Sequence, residues 1–281
     1  MIKVFTQIDE IHSEALALRE LGLSIGFVPT MGALHEGHIS LLQHSIREND
    51  VSISSIFVNP IQFNNKEDLK KYPRKLDKDI NMLDTAGCDM VFAPSVEEMY
   101  PGEIQESYDF GALEHVMEGD ARPGHFNGVA VVVNRLFNIC IPHRAYFGEK
   151  DFQQLLIIRE MVKKNALSLE IIGCPIIREP DGLAMSSRNV RLSADERSVA
   201  PVIFQTLSWI KKQAGKMDVG ELVDEAGQKL SQHESIKLDY VWIADEKTLM
   251  PVMNWHETSE IRAFIALFLG EVRLIDNMKI K

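Results

Sequence analysis

Residues 25–38 read Ile25-Gly-Phe-Val-Pro-Thr-Met-Gly-Ala-Leu-His-Glu-Gly-His38, and the apolar positions Ile39, Leu41, Leu42 and Ile46 follow. The short apolar run ending at Val28 predicts a buried strand, and the spacing after His38 predicts one face of a helix. Pro29 has no N–H for a ladder bond, so it marks where the strand leaves its sheet. Gly32 and Gly37 permit a ligand to approach the backbone closely. The loop opens on a helix N-terminus, whose free N–H groups and positive dipole end favour an anion. His35 and His38 stand three apart, so in a first helical turn both rings project to one side, placed to bind a polyphosphate and donate to it. The alternative is a chance pair of surface histidines beside an ordinary strand–helix turn, because a four-residue motif alone is weak.

Outward from this stretch the pattern alternates. Ile8, Ile11, Ala15, Leu18 and Leu21 repeat with a helical period that Gly22 ends. On the other side, Val51 to Val58 is rich in β-branched residues, as a second strand requires. Beyond Phe63 the chain turns polar as far as Lys75; a helix is expected over 77–86 and a third strand from Asp89 to Ala93. Tyr100-Pro-Gly102 and Arg122-Pro-Gly-His125 read as turns, with a candidate strand at 103–110. A buried helix over 128–140, a strand at 145–147, a helix opened by Gly148-Glu-Lys-Asp151 and a strand over 169–177 complete an α/β alternation. Past Gly182-Leu-Ala-Met-Ser-Ser-Arg188 the pattern changes. A long helix is expected from Ser193, capped through Glu196, to about Gly215, and another over 218–232. Strands then follow near 238–243, 261–269 and 272–275, the last two joined at Gly270-Glu271 as a hairpin. The expected fold is a Rossmann-like parallel sheet over 1–179 with a smaller α+β domain over 180–281. In open parallel sheets ligands bind beyond the carboxyl ends of the strands, where both the histidine loop and Asn59-Pro-Ile-Gln-Phe63 fall.

The 281 residues carry a net charge of −11, with 25% charged and 45% hydrophobic residues, an ordinary globular balance. That charge argues against nucleic acid or an anionic membrane as main partner, since both call for a broad basic surface. Any anionic substrate must be drawn in by a local basic pocket. Cys88, Cys140 and Cys174 lie far apart among apolar residues, which points to buried reduced thiols. With no signal segment and no apolar run of about 18 residues, the expected location is cytoplasmic.

Four segments offer polar groups at strand ends or loops: the histidine loop, Gln62, the Gly148–Asp151 turn with Gln154, and the loop Met185-Ser-Ser-Arg188. Singly, each reads as a solvated side chain or a turn former. Taken with SIFVNPIQF, YPR at Tyr72 to Arg74, ARPGHFNGV, YFGEKDFQQL and REPDGLAMSSRN, the stretch PTMGALHEGH resembles the HxGH nucleotidyltransferase superfamily. Within it the resemblance is to the pantothenate synthetase (pantoate–β-alanine ligase) family, over almost the whole chain.

That resemblance implies ATP-dependent joining of (R)-pantoate to β-alanine through a pantoyl adenylate, releasing AMP and pyrophosphate, on the way to coenzyme A. It implies that Met31, Gly32, Ala33, Leu34, His35, Glu36, Gly37 and His38 surround ATP together with Gly148, Glu149, Lys150, Asp151, Ile177, Met185, Ser186, Ser187 and Arg188. It gives pantoate to Gln62, Gln154 and Met31, and β-alanine to Gln62. Catalysis falls to His38, His35, Lys150, Ser186, Ser187 and Arg188, with residues 185–188 as a mobile phosphate clamp related to the KMSKS loop of class I tRNA synthetases. ATP chemistry implies Mg²⁺ on a carboxylate, Asp79 before Asp77; Lys78 stands between them where some relatives carry another acid. Family members are commonly dimers, so a homodimer is expected. Arg122 and His125 fall in a family motif with no assigned role. Two other readings are a nucleotidyltransferase acting on a phosphate substrate, which the uncharged Gln62 and Gln154 disfavour, and a non-catalytic nucleotide-binding module, which would not need this whole set of groups.

Overall fold

The computed structural model describes residues 2–281. The first part of the chain runs β1 (Lys3–Phe5), α1 (Ile8–Glu20), β2 (Ile25–Thr30), α2 (Glu36–Glu48), β3 (Val51–Ile56), α3 (Lys66–Lys71), α4 (Leu76–Thr85) and β4 (Met90–Phe92). It continues through α5 (Val96–Met99), α6 (Glu118–Ala121), α7 (His125–Cys140), β5 (Arg144–Gly148), α8 (Phe152–Lys164) and β6 (Glu170–Cys174). The six strands form one parallel sheet in the order β1-β4-β3-β2-β5-β6. The chain moves outward from β2 to β3, then returns to β5 on the other side. The carboxyl ends of β2 and β5 therefore flank a crevice at the topological switch point.

Alternation along the strands fills two layers. Ile25 and Phe27 of β2 point to α1, α7 and α8, while Val28 and Tyr146 point to the side of Leu41, Leu42 and Leu83 from α2 and α4. Helix α7 is apolar almost all round and buried along most of its length, which fits a helix wholly inside a protein. Cys88, Cys140 and Cys174 are buried free thiols, and burial raises all three, Cys88 and Cys174 to about 12.

The second part comprises α9 (Ala194–Val199), α10 (Val202–Gln213), α11 (Val219–Ser231) and the antiparallel strands β7 (Ile236–Asp245), β8 (Ile261–Leu269) and β9 (Val272–Lys279). Helices α10 and α11 cover one face of this sheet with Ile203, Leu207, Leu222 and Leu230. From its other face, Phe264 joins the core of the parallel-sheet region and meets the Phe152 ring at 6.0 Å.

Four local expectations change. Strand β2 runs on through Pro29, in register with Ser55, because pairing with β5 has already ended at Phe27. Residues 103–110 form no strand. Instead Arg135 grips Glu106 at 2.7 and 2.9 Å, and Asn127 takes the Tyr108 N–H at 2.8 Å. The polar stretch after Phe63 contains α3, capped by Asn65. The capping box of Ser193 and Glu196 is present, but the helix it opens stops at Val199, since Pro201 cannot donate to the preceding turn and restarts the chain as α10.

Candidate active site

The loop after β2 turns back through two positive-φ residues, Gly32 (77°) and Ala33 (51°). At Gly32 a side chain would also crowd Asp79 Oδ2, 3.0 Å from a would-be Cβ. Asp79, at 2% exposure, holds this turn: its carboxylate accepts the N–H groups of Ala33 and Leu34 at 2.8 and 2.9 Å. His35 does not sit in the first helical turn but just before it, as the N-cap of α2. Its Nδ1 accepts from the Gly37 N–H at 3.1 Å, and His38 Nδ1 accepts from the His35 N–H at 3.3 Å. With Nδ1 accepting on both rings, each neutral imidazole carries its proton on Nε2 and can donate it. The rings lie 4.1 Å apart, centroid to centroid. Burial, then the Lys150 ammonium, lowers His35 to about 4; burial, then His35 and Lys150, lowers His38 to about 3. Both are neutral near pH 7, so they act as hydrogen-bond donors and not as cations.

At the end of β3, Asn59 and the Pro60–Gln62 turn lie under α7. Asn59 Nδ2 donates to Gln62 Oε1 at 3.0 Å and to the Gly128 carbonyl at 3.1 Å, while Tyr100 fixes its other end at 2.8 Å. His125 Nδ1 donates to the Gln62 carbonyl at 2.8 Å, which leaves His125 Nε2 to accept from Arg122 at 3.2 Å. Burial, then Arg122, lowers His125 to about 4. Gln62 Nε2 reaches Met31 Sδ at 3.1 Å.

The turn Glu149–Asp151 joins β5 to α8, and Lys150 Nζ lies 4.0 Å from Asp151 Oδ1. Across the crevice, Arg188 and Arg191 both hold Asp68 of α3 at 3.0 Å, and Tyr72 Oη lies 3.4 Å from Ser187 Oγ. Burial works to raise Asp68, but Arg188 and Arg191 prevail and its carboxyl lies below the usual range.

These segments enclose one cavity of about 230 Å³. Met31, His35, Gly37, His38, Gln62, Gly148, Lys150, Asp151, Gln154, Ile177 and Met185 to Arg188 all line it. Gly32, Ala33, Leu34, Glu36, Glu149 and Asp79 do not. The first four shape the loop behind it; Glu149 instead pairs with Arg262 of β8 at 3.2 Å. The cavity adds residues that sequence reasoning gave no part: Asn59, Tyr72, Arg122, His125, and an apolar wall of Val129, Val132, Val133 and Leu136 from α7. The motif around Arg122 and His125 signalled their importance. The wall carried no signal, because one all-apolar helix gives no sign of which face borders a ligand.

Comparison with known proteins joins this geometry to a family. A model of pantoate-beta-alanine ligases matches residues 3–279. The chain belongs to the pantoate-beta-alanine ligase family. It is a ligase of that family, with a Rossmann-like fold. The pantothenate synthetases of Phocaeicola vulgatus and of Bacteroides fragilis strain YCH46 are 52% and 51% identical to it over 281 and 280 residues, spanning 100% of this chain and 100% and 99% of theirs. The crystal structure of pantothenate synthetase from Thermus thermophilus superposes with a TM-score of 0.92 at 42% identity, covering 99% of both chains. Pantoate-beta-alanine ligase from Francisella tularensis, complexed with beta-gamma ATP and beta-alanine, superposes with a TM-score of 0.83 at 38% identity, covering 99% of this chain and 98% of that one.

Proposed function

We propose that this chain condenses (R)-pantoate with β-alanine in an ATP-driven reaction, giving pantothenate, AMP and pyrophosphate through a pantoyl adenylate, as a step toward coenzyme A. The observation that carries the reading is the convergence, in one cavity, of a lysine, an arginine, two hydroxyls and two neutral imidazoles with the amides of Gln62 and Gln154. The parallel-sheet part, 1–179, would hold nucleotide and hydroxy-acid; the part from 180 onward would supply the clamp.

A carboxylate is a poor acyl donor because oxide would have to leave. In the first step a pantoate carboxylate oxygen attacks the α-phosphorus of ATP and the bond to the pyrophosphate oxygen breaks. Negative charge grows on the departing pyrophosphate, where Lys150, Arg188, Ser186, Ser187 and the Nε2–H groups of His35 and His38 supply donors. Arg188 spends Nη2 on Asp68 at 3.0 Å and keeps further N–H groups with which to grip phosphate. Gln62 and Gln154 suit the carboxylate and hydroxyls of pantoate, Met31 its methyl groups, and Asp151 a ribose hydroxyl. In the second step the neutral amine of β-alanine, beside Gln62, attacks the acyl carbon and AMP leaves. The apolar wall of α7 keeps water from the anhydride. No side-chain nucleophile takes part.

Mg²⁺ accompanies ATP chemistry, but Asp79 does not fit as its ligand, since it is buried, away from the cavity, and occupied by two backbone N–H groups. No cluster of three or more potential ligands occurs among the described residues.

The test is exchange of labelled pyrophosphate into ATP. Exchange should require pantoate but not β-alanine, and AMP should appear only when both are present. Exchange that proceeds without pantoate would overturn the reading. Lys150→Ala should lower pantoate-dependent exchange by about 100- to 1000-fold while the fold survives.

A further inference from the structure

We infer that Asn277, on β9 of the small sheet, is a positioning residue for Lys150, so that the second domain sets the geometry of the adenylation step. The inference rests on the reading of Lys150 given above. Asn277 is 1% exposed, and its Nδ2 donates to two successive carbonyls of the catalytic turn, Glu149 and Lys150, both at 2.9 Å. Its Oδ1 accepts from Arg262 Nη1 at 2.6 Å. Carbonyls only accept and a guanidinium only donates, so these partners fix which way the amide faces.

Arg262 is itself immobilised. Its Nε is bound to Glu246 at 2.7 Å, its guanidinium lies 4.0 Å from the centre of the Phe152 ring, and its Nη2 reaches Glu149 Oε2 at 3.2 Å. The turn Glu149–Asp151 spans three residues between the end of β5 and the start of α8. Two of its carbonyls and one of its side chains are thus held from β8 and β9, elements more than 110 residues away in sequence. Lys150 reaches the cavity on a flexible four-carbon stem, so the position of its backbone decides whether the ammonium meets the pyrophosphate. Asn277 does not line that cavity, so any effect it has on the reaction passes through the turn.

The experiment uses the full chain. Asn277→Asp is nearly isosteric and keeps a partner for Arg262, but turns a carboxylate oxygen toward the two carbonyls; Asn277→Ala removes the donor without adding charge and serves if the first variant fails to fold. In either, kcat of pantoate-dependent exchange should fall about 10- to 100-fold, with KM for pantoate changed less than about twofold. Introduced into Lys150→Ala, the same substitution should cost less than about a further twofold, because the group it positions is gone. The inference is overturned if kcat stays at the wild-type value, if the loss falls on the pantoate KM alone, or if the two losses multiply in full. Wild-type exchange in Lys150→Ala alone would refute the reading of Lys150, and this inference with it, before Asn277 is touched.

Discussion

His35, His38 and His125 are held neutral by burial, at about 4, 3 and 4. An unfolded chain protonates histidine near 6.5. As pH falls from about 6.5 toward 4, the unfolded state therefore binds more protons than the folded one, and the stability these three contribute, fully present above 6.5, is lost across that window. Thermal melting followed from pH 6.5 to 5, above the range where carboxylates dominate, should show a falling midpoint. His38→Gln should flatten part of that slope, and an unchanged slope would count against its burial as the cause. Asp79 supports a second prediction. Asp79→Ala strands two buried N–H groups and should destabilise the fold by about 2–4 kcal/mol in a denaturant titration, without specific loss of Mg²⁺ affinity. The sequence displayed the histidine pair, Gln62, Lys150 and the serine–arginine loop, because each sits in a loop or turn or at the helix start beside one. It could not display that His35 and His38 commit Nδ1 to the helix cap, or that Asp79 serves the backbone, since both depend on how the loop closes in space.

The element that presses most closely on the Pro60–Gln62 turn is the first turn of α7. A Cβ on Gly128 would lie 2.6 Å from the Ile61 carbonyl oxygen and 2.8 Å from Gln62 Cα, both backbone atoms with little room to retreat. Gly128→Ala should therefore push the Pro60–Gln62 turn off α7 and raise KM for pantoate by about tenfold or more, with a smaller effect on KM for ATP. An unchanged pantoate KM would mean that the turn has slack. Long periodic helices and the β-branched strands were legible because burial imposes their periods. What escaped were elements with too little sequence to show a period, such as the three-residue β1 and the six-residue α3. The helix expected from Ser193 to Gly215 failed for a different reason: its apolar period continues through Pro201 although its hydrogen bonds cannot.

At the scale of the molecule, the two sheets share a core and several ion pairs. Arg273 of β9 grips Glu118 of α6 with both ends of its guanidinium, at 2.6 and 2.8 Å, and Tyr240 adds a hydrogen bond at 2.8 Å. Arg273→Ala would leave the Glu118 charge buried, and should cost about 3–5 kcal/mol. All three tryptophans, Trp209, Trp242 and Trp255, lie after residue 180, so their fluorescence reports the second part while far-ultraviolet circular dichroism reports both. Coincident urea transitions by the two probes are expected, and separated midpoints would show that the parts unfold independently. None of this coupling was legible in the sequence, because 155 residues separate Glu118 from Arg273 and no local pattern links them. The three buried thiols have a practical consequence. Groups that ionise near pH 12 or beyond offer almost no thiolate to maleimides or iodoacetamides at neutral pH. A cysteine placed at Val190, 81% exposed and two residues from Arg188, would then be the sulfur that takes a dye, and its emission could test whether the Met185–Arg188 loop moves when ATP is added, with the native cysteines left in place.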